Sequence, residues 1–131
     1  MRKLIVLMLL AMVSSGAAAA WVKIGSVSSS GGYDVYVDRT TIRRSGNMVK
    51  MRHMFDYKTV QTVAGERYLS ATGQNEYDCK HERSRLLYFT WHSGNMGKRD
   101  VVTTGNRPSE WTPVPPGSVG EVKWKVACGK K

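Results

Sequence analysis

Basic side chains gather in two stretches of this sequence, and they are the residues best suited to bind a ligand. The first stretch has four potential cations within six residues: Lys80, His81, Arg83 and Arg85. In an extended strand His81, Arg83 and Arg85 would share one face, where arginine offers a two-pronged fork to sulfate, phosphate or carboxylate. The second stretch has three arginines: Arg39, Arg43 and Arg44. Both stretches are candidate sites for an anionic partner, with a solvated basic surface as the alternative.

The sequence contains two cysteines, Cys79 and Cys128. An even number of cysteines in an exported protein is typical of a disulfide, and only one pairing is possible here. Their spacing lacks the Cys-x-x-Cys pattern that lowers a thiol pKa, which argues against a redox-active pair. We expect the bond to close a loop of about 50 residues and to stabilise the fold by roughly 4 kcal/mol.

Histidine and methionine could hold a metal ion or a haem, but their spacing favours packing roles. The three histidines, His53, His81 and His92, form no spaced ligand motif. A possible haem slot would consist of three methionines and a tyrosine: Met48, Met51, Met54 and Tyr57. Methionines at strand spacing more often fill a core. We therefore predict no metal site and no cofactor, with haem as the alternative.

Acidic residues stand singly between basic ones, and no nucleophile stands beside a base. Hydrolytic enzymes need such a pair, or two carboxylates that face one another. We therefore predict a protein without catalytic activity.

The amino terminus is typical of a secretory signal peptide. Arg2 and Lys3 precede an apolar run over residues 4–13, and small side chains including Ala18 and Ala20 follow. The apolar run is about half the length that a membrane-spanning helix needs, roughly 20 residues. We predict a signal peptide over residues 1–20, cleavage before Trp21 and a single domain over residues 21–131, with no transmembrane segment in the mature protein.

Export changes both the net charge of the protein and the anionic partners that it can meet. Without Arg2 and Lys3, eighteen basic and ten acidic side chains remain, which gives the mature protein a net charge of +8. Such a surplus favours anionic partners through long-range attraction. In the periplasm or at the outer surface, such partners are lipopolysaccharide, anionic phospholipid, acidic glycans or acidic host proteins rather than nucleic acid.

Alternation of apolar and polar residues predicts a mostly β domain. Six short strands are expected over residues 21–25, 33–38, 48–58, 68–79, 83–92 and 99–104. The third has apolar odd positions over ten residues, which predicts one buried face. Residues 39–44 could form one turn of helix, and residues 80–82 a hairpin connection. Short strands with tight connections favour an antiparallel sheet.

The carboxyl-terminal part predicts a helix. Pro113, Pro115 and Pro116 argue against regular structure, after which residues 118–121 match a capping box and Gly129 marks a stop. The apolar helix face would consist of three valines, Val119, Val122 and Val126, while Lys123 and Lys125 would point elsewhere. We predict an α+β fold in which this helix covers one face of the sheet and the disulfide ties the helix end to a strand end.

Three segments resemble the surface-adhesin protein E family. They are residues 76–97 (EYDCKHERSRLLYFTWHSGNMG), residues 36–44 (YVD followed by TIRR) and residues 111–128 (WTPVPPGSVGEVKWKVAC). The resemblance implies a strongly bent antiparallel sheet with a helix on its concave side and one disulfide. A well-known member is a dimeric, lipid-anchored adhesin that binds extracellular-matrix and serum proteins and also haem. The present sequence has no cysteine at the expected cleavage site to carry a lipid.

Two functions follow from these observations. The first is an exported, non-catalytic binding protein that engages an anionic or host macromolecule through its basic residues. The second is a structural or accessory periplasmic protein without a host-binding role, which could form a homodimer through a sheet face or an edge strand.

We predict that mass spectrometry of the protein from its native host finds an amino terminus within two residues of Trp21 and no free thiol. Retention of Met1 together with two free cysteines would contradict export into an oxidising compartment.

Overall fold

The alternating strands of the sequence pair with one another in chain order. The computed structural model describes residues 19–131, so that most of the predicted signal peptide lies outside the described residues. The strands of the main sheet are β1 (Trp21–Val27), β2 (Tyr33–Ser45), β3 (Met48–Val63), β4 (Glu66–Asp78), β5 (Arg83–His92) and β6 (Val101–Gly105). All neighbouring pairs are antiparallel, and the order across the sheet is β1-β2-β3-β4-β5-β6. The predicted six-stranded antiparallel sheet is confirmed.

The first four strands are longer than predicted, β5 has the predicted bounds, and β6 is shorter than predicted. A β-bulge interrupts each of the five ladders between consecutive strands. Bulges bend a strand and increase its twist. Gly73 and the residues after it do not break β4. A Cβ atom at Gly73 would lie 2.6 Å from the Tyr88 carbonyl oxygen and 3.1 Å from the His53 ring. Glycine therefore lets β5 and the imidazole approach this strand.

Residues 39–44 do not form the predicted turn of helix, because they belong to β2. The pairing with β3 jumps from Asp38 opposite Arg52 to Arg43 opposite Lys50. Local hydrogen bonds stabilise the extra residues of this bulge. The Thr40 amide donates to the Asp38 carboxylate, and Thr41 Oγ1 donates to the Asp38 carbonyl oxygen and accepts from the Arg52 amide. The short polar side chains thus replace helical hydrogen bonds.

The two faces of the sheet are covered by different elements. On β3, Val49, Met51 and His53 are buried, which confirms the predicted apolar face. This face packs against a carboxyl-terminal helix, α1 (Val119–Cys128). Met54 points to the opposite face and is nevertheless fully buried. There a connection over residues 93–100 crosses the strands, and Ser70 Oγ donates to the Gly94 carbonyl oxygen.

The capping residues of α1 are confirmed, but its buried face is not the predicted one. Ser118 accepts a hydrogen bond from the Glu121 amide, and Gly129 ends the helix with φ of 68°. The buried residues are Lys123, Trp124, Ala127 and Cys128, whereas Val122 is 42% exposed. The buried face is thus turned from the predicted one by more than one residue, or roughly 140°. The cause is that α1 is anchored through Trp124 and Cys128, and a large indole buries more surface than valine.

Two bonds fix the end of α1 to the end of β4. Cys79 and Cys128 form the predicted disulfide. The indole Nε1 of Trp124 donates to the Asp78 carbonyl oxygen at 2.9 Å. The core around this anchor consists of Val37, Val49, Met51, Tyr77, Trp124, Ala127 and Cys128.

The proline-rich segment before α1 is not wholly irregular, contrary to expectation. Thr112 and Pro113 form a two-residue strand, β7, that pairs with Ser84 and Arg83 of β5. The prolines are tolerated because this strand lies at an edge of the sheet. Within residues 19–131, no helix is long and apolar enough to cross a bilayer.

Replacement of both cysteines by serine is expected to lower the free energy of unfolding by about 4 kcal/mol, because the bond closes a loop between residues 49 positions apart. Urea unfolding followed by tryptophan fluorescence measures this change. A loss below about 1 kcal/mol would show that Trp124 and the apolar core hold α1 without the disulfide.

Candidate functional site

The first basic stretch surrounds a buried carboxylate at the turn between β4 and β5. The side chain of Asp78 is 1% exposed. It accepts hydrogen bonds from the Lys80 and His81 amides, from His81 Nδ1 and from Arg83 Nε. Burial alone would raise the pKa of Asp78, but these hydrogen bonds outweigh burial and hold that pKa well below its usual range. His81 and Arg83 therefore stabilise the turn.

Arg83 and Arg85 also enclose an aromatic ring. Both guanidinium groups lie 4.8 Å from the ring centre of Trp111, and Arg85 forms an ion pair with Glu76 at 2.8 Å. Arg83 and Arg85 share one face of β5, as predicted, whereas His81 lies in the turn rather than in the strand. In this stretch only Lys80 is exposed without an ion pair among the described residues.

One arginine of the second stretch joins Arg85 on the face of the sheet opposite α1. Across the strands, Arg43 pairs with Lys50, Lys50 with Glu76, and Glu76 with Arg85. We call Arg43, Lys50 and Arg85 the basic row. Arg43 and Lys50 are exposed, and no carboxylate of residues 19–131 forms an ion pair with either. The fold thus brings together cations from both predicted clusters.

The other two arginines of the second stretch lie apart from this row. Arg44 lies opposite Val49, on the α1 side of the sheet, and donates to the carbonyl oxygens of Gly46 and Cys128. Arg39 is exposed within the bulge of β2. A shallow depression of about 130 Å³ lies beside the row, and its lining includes Arg43, Arg44, Lys50 and Glu76. An anion placed there would meet three cations that form no ion pair with a carboxylate of residues 19–131.

A second candidate site lies on the face that α1 covers only in part. A hollow of about 280 Å³ is lined mainly by rings from β3, β4 and β5: His53, Phe55, Tyr57, Tyr68, Phe89 and Trp91. We call it the aromatic hollow. The rings of Tyr68 and Trp91 stack with their centres 4.4 Å apart, and Phe89 lies 5.4 Å from Trp91. The contacts hold the rings in fixed positions while the hollow stays open to solvent.

No prediction from the sequence covers this hollow, although the sequence contains a signal for it. Phe55 and Tyr57 continue the apolar face of β3, which has 16 residues and is therefore about 50 Å long. A helix of ten residues is only about 15 Å long. The helix therefore leaves part of the apolar face uncovered.

A buried cation stands beside the hollow. Lys123 of α1 is 7% exposed, and its Nζ lies 5.0 Å above the ring centre of Phe55. No hydrogen bond or ion pair to this ammonium group forms within residues 19–131. Burial lowers the pKa of Lys123 to about 8, so the group is still mostly charged at neutral pH. Burial, with the nearby Lys123 and Arg52, holds the pKa of His53 well below its usual range, which keeps this imidazole neutral.

Comparisons with known proteins identify the family of this chain and agree with its fold. The family model of surface-adhesin protein E matches residues 21–129. The chain belongs to the surface-adhesin protein E family. The chain matches no curated protein sequence.

Solved structures of this family show the same fold. Crystal form II of Haemophilus influenzae protein E superposes with a TM-score of 0.60 at 11% identity, over 72% of this chain and 80% of that one. The selenomethionine form of Haemophilus influenzae protein E gives a TM-score of 0.58 at 9% identity, over 72% and 78% of the two chains. At such identity the likeness shows the fold alone.

The residues suggested for a haem slot do not share one face of β3. Met51 and Met54 lie on opposite faces of β3 and are both fully buried, and Tyr57 faces the aromatic hollow. The histidines are also dispersed: His92 bonds to Thr72, and His81 to Asp78. Within residues 19–131, no three side chains of the His, Cys, Asp and Glu types are grouped so as to hold a metal ion.

The substitution Lys123→Met is expected to stabilise the protein at pH 7 by roughly 1 to 3 kcal/mol. The pKa of Lys123 falls from 10.5 to about 8 on folding, so the charged form opposes folding below pH 8, and this effect fades as the pH rises from 8 towards 10.5. The gain should therefore shrink between pH 8 and 10, as measured by urea unfolding at each pH.

Lys125→Met is the matched control, because Lys125 is 43% exposed and pairs with Glu121 on the same helix. It should leave stability within about 0.5 kcal/mol at every pH. An equal effect of both substitutions would show that Lys123 is not a buried cation.

Proposed function

We propose that this chain is an exported, non-catalytic surface adhesin that binds sulfated glycan chains through its basic row. One observation carries the proposal: Arg43 and Lys50 lie side by side on neighbouring strands, exposed and without a carboxylate partner in the described residues. Neighbouring strands are about 4.8 Å apart, so the two cations can contact one sulfate group or two successive ones. The strands hold them in place, which lowers the entropy lost on binding.

Charge beyond the row supports the same partner. The mature protein has a net charge of +8 if residues 1–20 are removed, and such a charge speeds the approach of a polyanion. Arg83 and Arg85 add less than the sequence suggests, since Asp78 and Glu76 offset their charges. The adhesin family supports a location at the cell surface, where such glycans are encountered.

The alternative is an accessory protein of the periplasm that assembles with envelope components or with a second copy. The outer edge of β1, at the end of the sheet, has no partner strand among residues 19–131, and an open edge can pair with another chain. Surface exposure separates the two functions. Protease added to intact cells should cleave an adhesin and should leave a periplasmic protein whole until the outer membrane is opened.

The double substitution Arg43→Gln/Lys50→Gln is expected to weaken binding to a heparin oligosaccharide about tenfold at 0.15 M salt. Isothermal titration calorimetry measures the affinity, and the salt at which each variant elutes from a heparin column gives the ranking. Both residues are exposed, so the variant should fold as the parent does.

The control variant is Lys58→Gln/Lys98→Gln, which removes the same charge from exposed positions at the other end of β3 and in the connection before β6. Arg43→Gln/Lys50→Gln is called the row variant. The control should change the log Kd for heparin by less than half of the change that the row variant causes. Equal losses would mean that heparin responds to net charge alone, and the row would not be a site.

A further inference from the structure

Lys123 is the feature that the proposed function leaves unexplained. A buried ammonium group ordinarily has a carboxylate or several hydrogen-bond acceptors around it, because removal from water is costly. Here its neighbour is the face of Phe55, 5.0 Å away, and within the described residues no acid offsets the charge. A ring face stabilises a cation only in part. The ammonium group of Lys123 is therefore available to pair with an anion.

The aromatic hollow begins at the same ring. Phe55 forms part of its lining, together with Tyr57 and Trp91. Its volume of about 280 Å³ is slightly below the roughly 300 to 1,000 Å³ of pockets that enclose drug-sized ligands. The space therefore suits a single ring rather than a large or extended molecule.

Ring faces and phenol groups together favour a sugar. The C–H groups on one side of a pyranose carry slight positive charge and pack on the negative face of an aromatic ring. Tyr57 and Tyr68 line the hollow, and phenol hydroxyls can form hydrogen bonds with sugar oxygens and hydroxyls. A long acyl chain would need an aliphatic tunnel, whereas this hollow is open and lined mainly by rings.

We propose that the aromatic hollow is a second binding site, and that it takes an acidic sugar whose ring packs on the aromatic side chains and whose carboxylate pairs with Lys123. The charge of the site selects against cationic ligands, since Lys123 already lies over Phe55. The site lies on the α1 side of the sheet, whereas the basic row lies on the opposite side. The two sites are thus independent, and each can fail without the other.

The test uses protein from cells that express the full 131-residue chain, titrated with sodium glucuronate, glucose and cyclohexanecarboxylate. NMR spectra of the backbone amides and tryptophan indoles report the affinity and locate the ligand. We expect glucuronate to bind with millimolar affinity, at least tenfold tighter than glucose, and to shift the signals of Trp91 and of residues around Phe55. Cyclohexanecarboxylate has the ring and the charge without the hydroxyl groups, and we expect it to bind less tightly than glucuronate.

Variants identify the groups that bind. Lys123→Met should weaken glucuronate binding at least tenfold and leave glucose binding unchanged, while Lys125→Met should change neither. Trp91→Ala should weaken both ligands. The row variant Arg43→Gln/Lys50→Gln should bind glucuronate as the parent does, and Lys123→Met should still bind heparin, which separates this proposal from the proposed function.

Several outcomes would overturn the proposal. Equal binding of glucuronate and glucose, or unchanged glucuronate binding by Lys123→Met, would show that Lys123 does not pair with the sugar carboxylate. Tighter binding of cyclohexanecarboxylate would assign the hollow to apolar acids instead of sugars. A change in sedimentation coefficient on Trp91→Ala would show that a second copy of the chain covers the hollow. Chemical-shift changes remote from Trp91 in the unaltered protein would place the sugar elsewhere. This outcome does not depend on whether the variants fold.

Discussion

The attachment of α1 to the end of β4 is the constraint on which the rest of the structure depends. A ten-residue helix is marginal by itself in water, and its stability must come from packing. The indole of Trp124 on the Asp78 carbonyl and the Cys79–Cys128 bond supply two fixed points less than two turns apart on this helix. They determine which side of α1 faces the sheet. That orientation covers Met51 and Tyr77, buries Lys123 and leaves the rings beyond Phe55 open.

Asp78 and Lys123, two of the buried charged residues within residues 19–131, differ in how their charges are balanced. Asp78 is surrounded by four hydrogen-bond donors, so its charge stabilises the turn that carries Cys79. The same donors are the residues that made the first basic stretch look like a binding site. Lys123 has no such partners among residues 19–131, and its burial opposes folding at neutral pH. A group that lowers stability without structural benefit is characteristic of a functional site.

The sequence predicts the elements of this fold well and their mutual placement less well. The period of two in β3 and the capping box before α1 are local patterns, and both correspond to the observed elements. The errors come from contacts between distant residues. The hydrogen bond that Thr41 Oγ1 accepts from the Arg52 amide stabilises a bulge where residues 39–44 could form a turn, and the anchors at Trp124 and Cys128 rotate α1 away from its valines. Neither effect is visible in periodicity, because each depends on a partner elsewhere in the chain.

The candidate sites were only partly predictable for the same physical reason. Lys50 received no role from the sequence, since it stands alone in β3, and only the register of three strands places it between Arg43 and Glu76. The hollow can be predicted only by comparing the lengths of α1 and β3, because it arises where the short helix leaves the long strand uncovered. A solved structure of 11% identity has the same fold, so this backbone does not depend on most side chains. Residues on the uncovered parts of the two faces are free to differ between members, and binding specificity therefore has to be argued from the side chains of each chain.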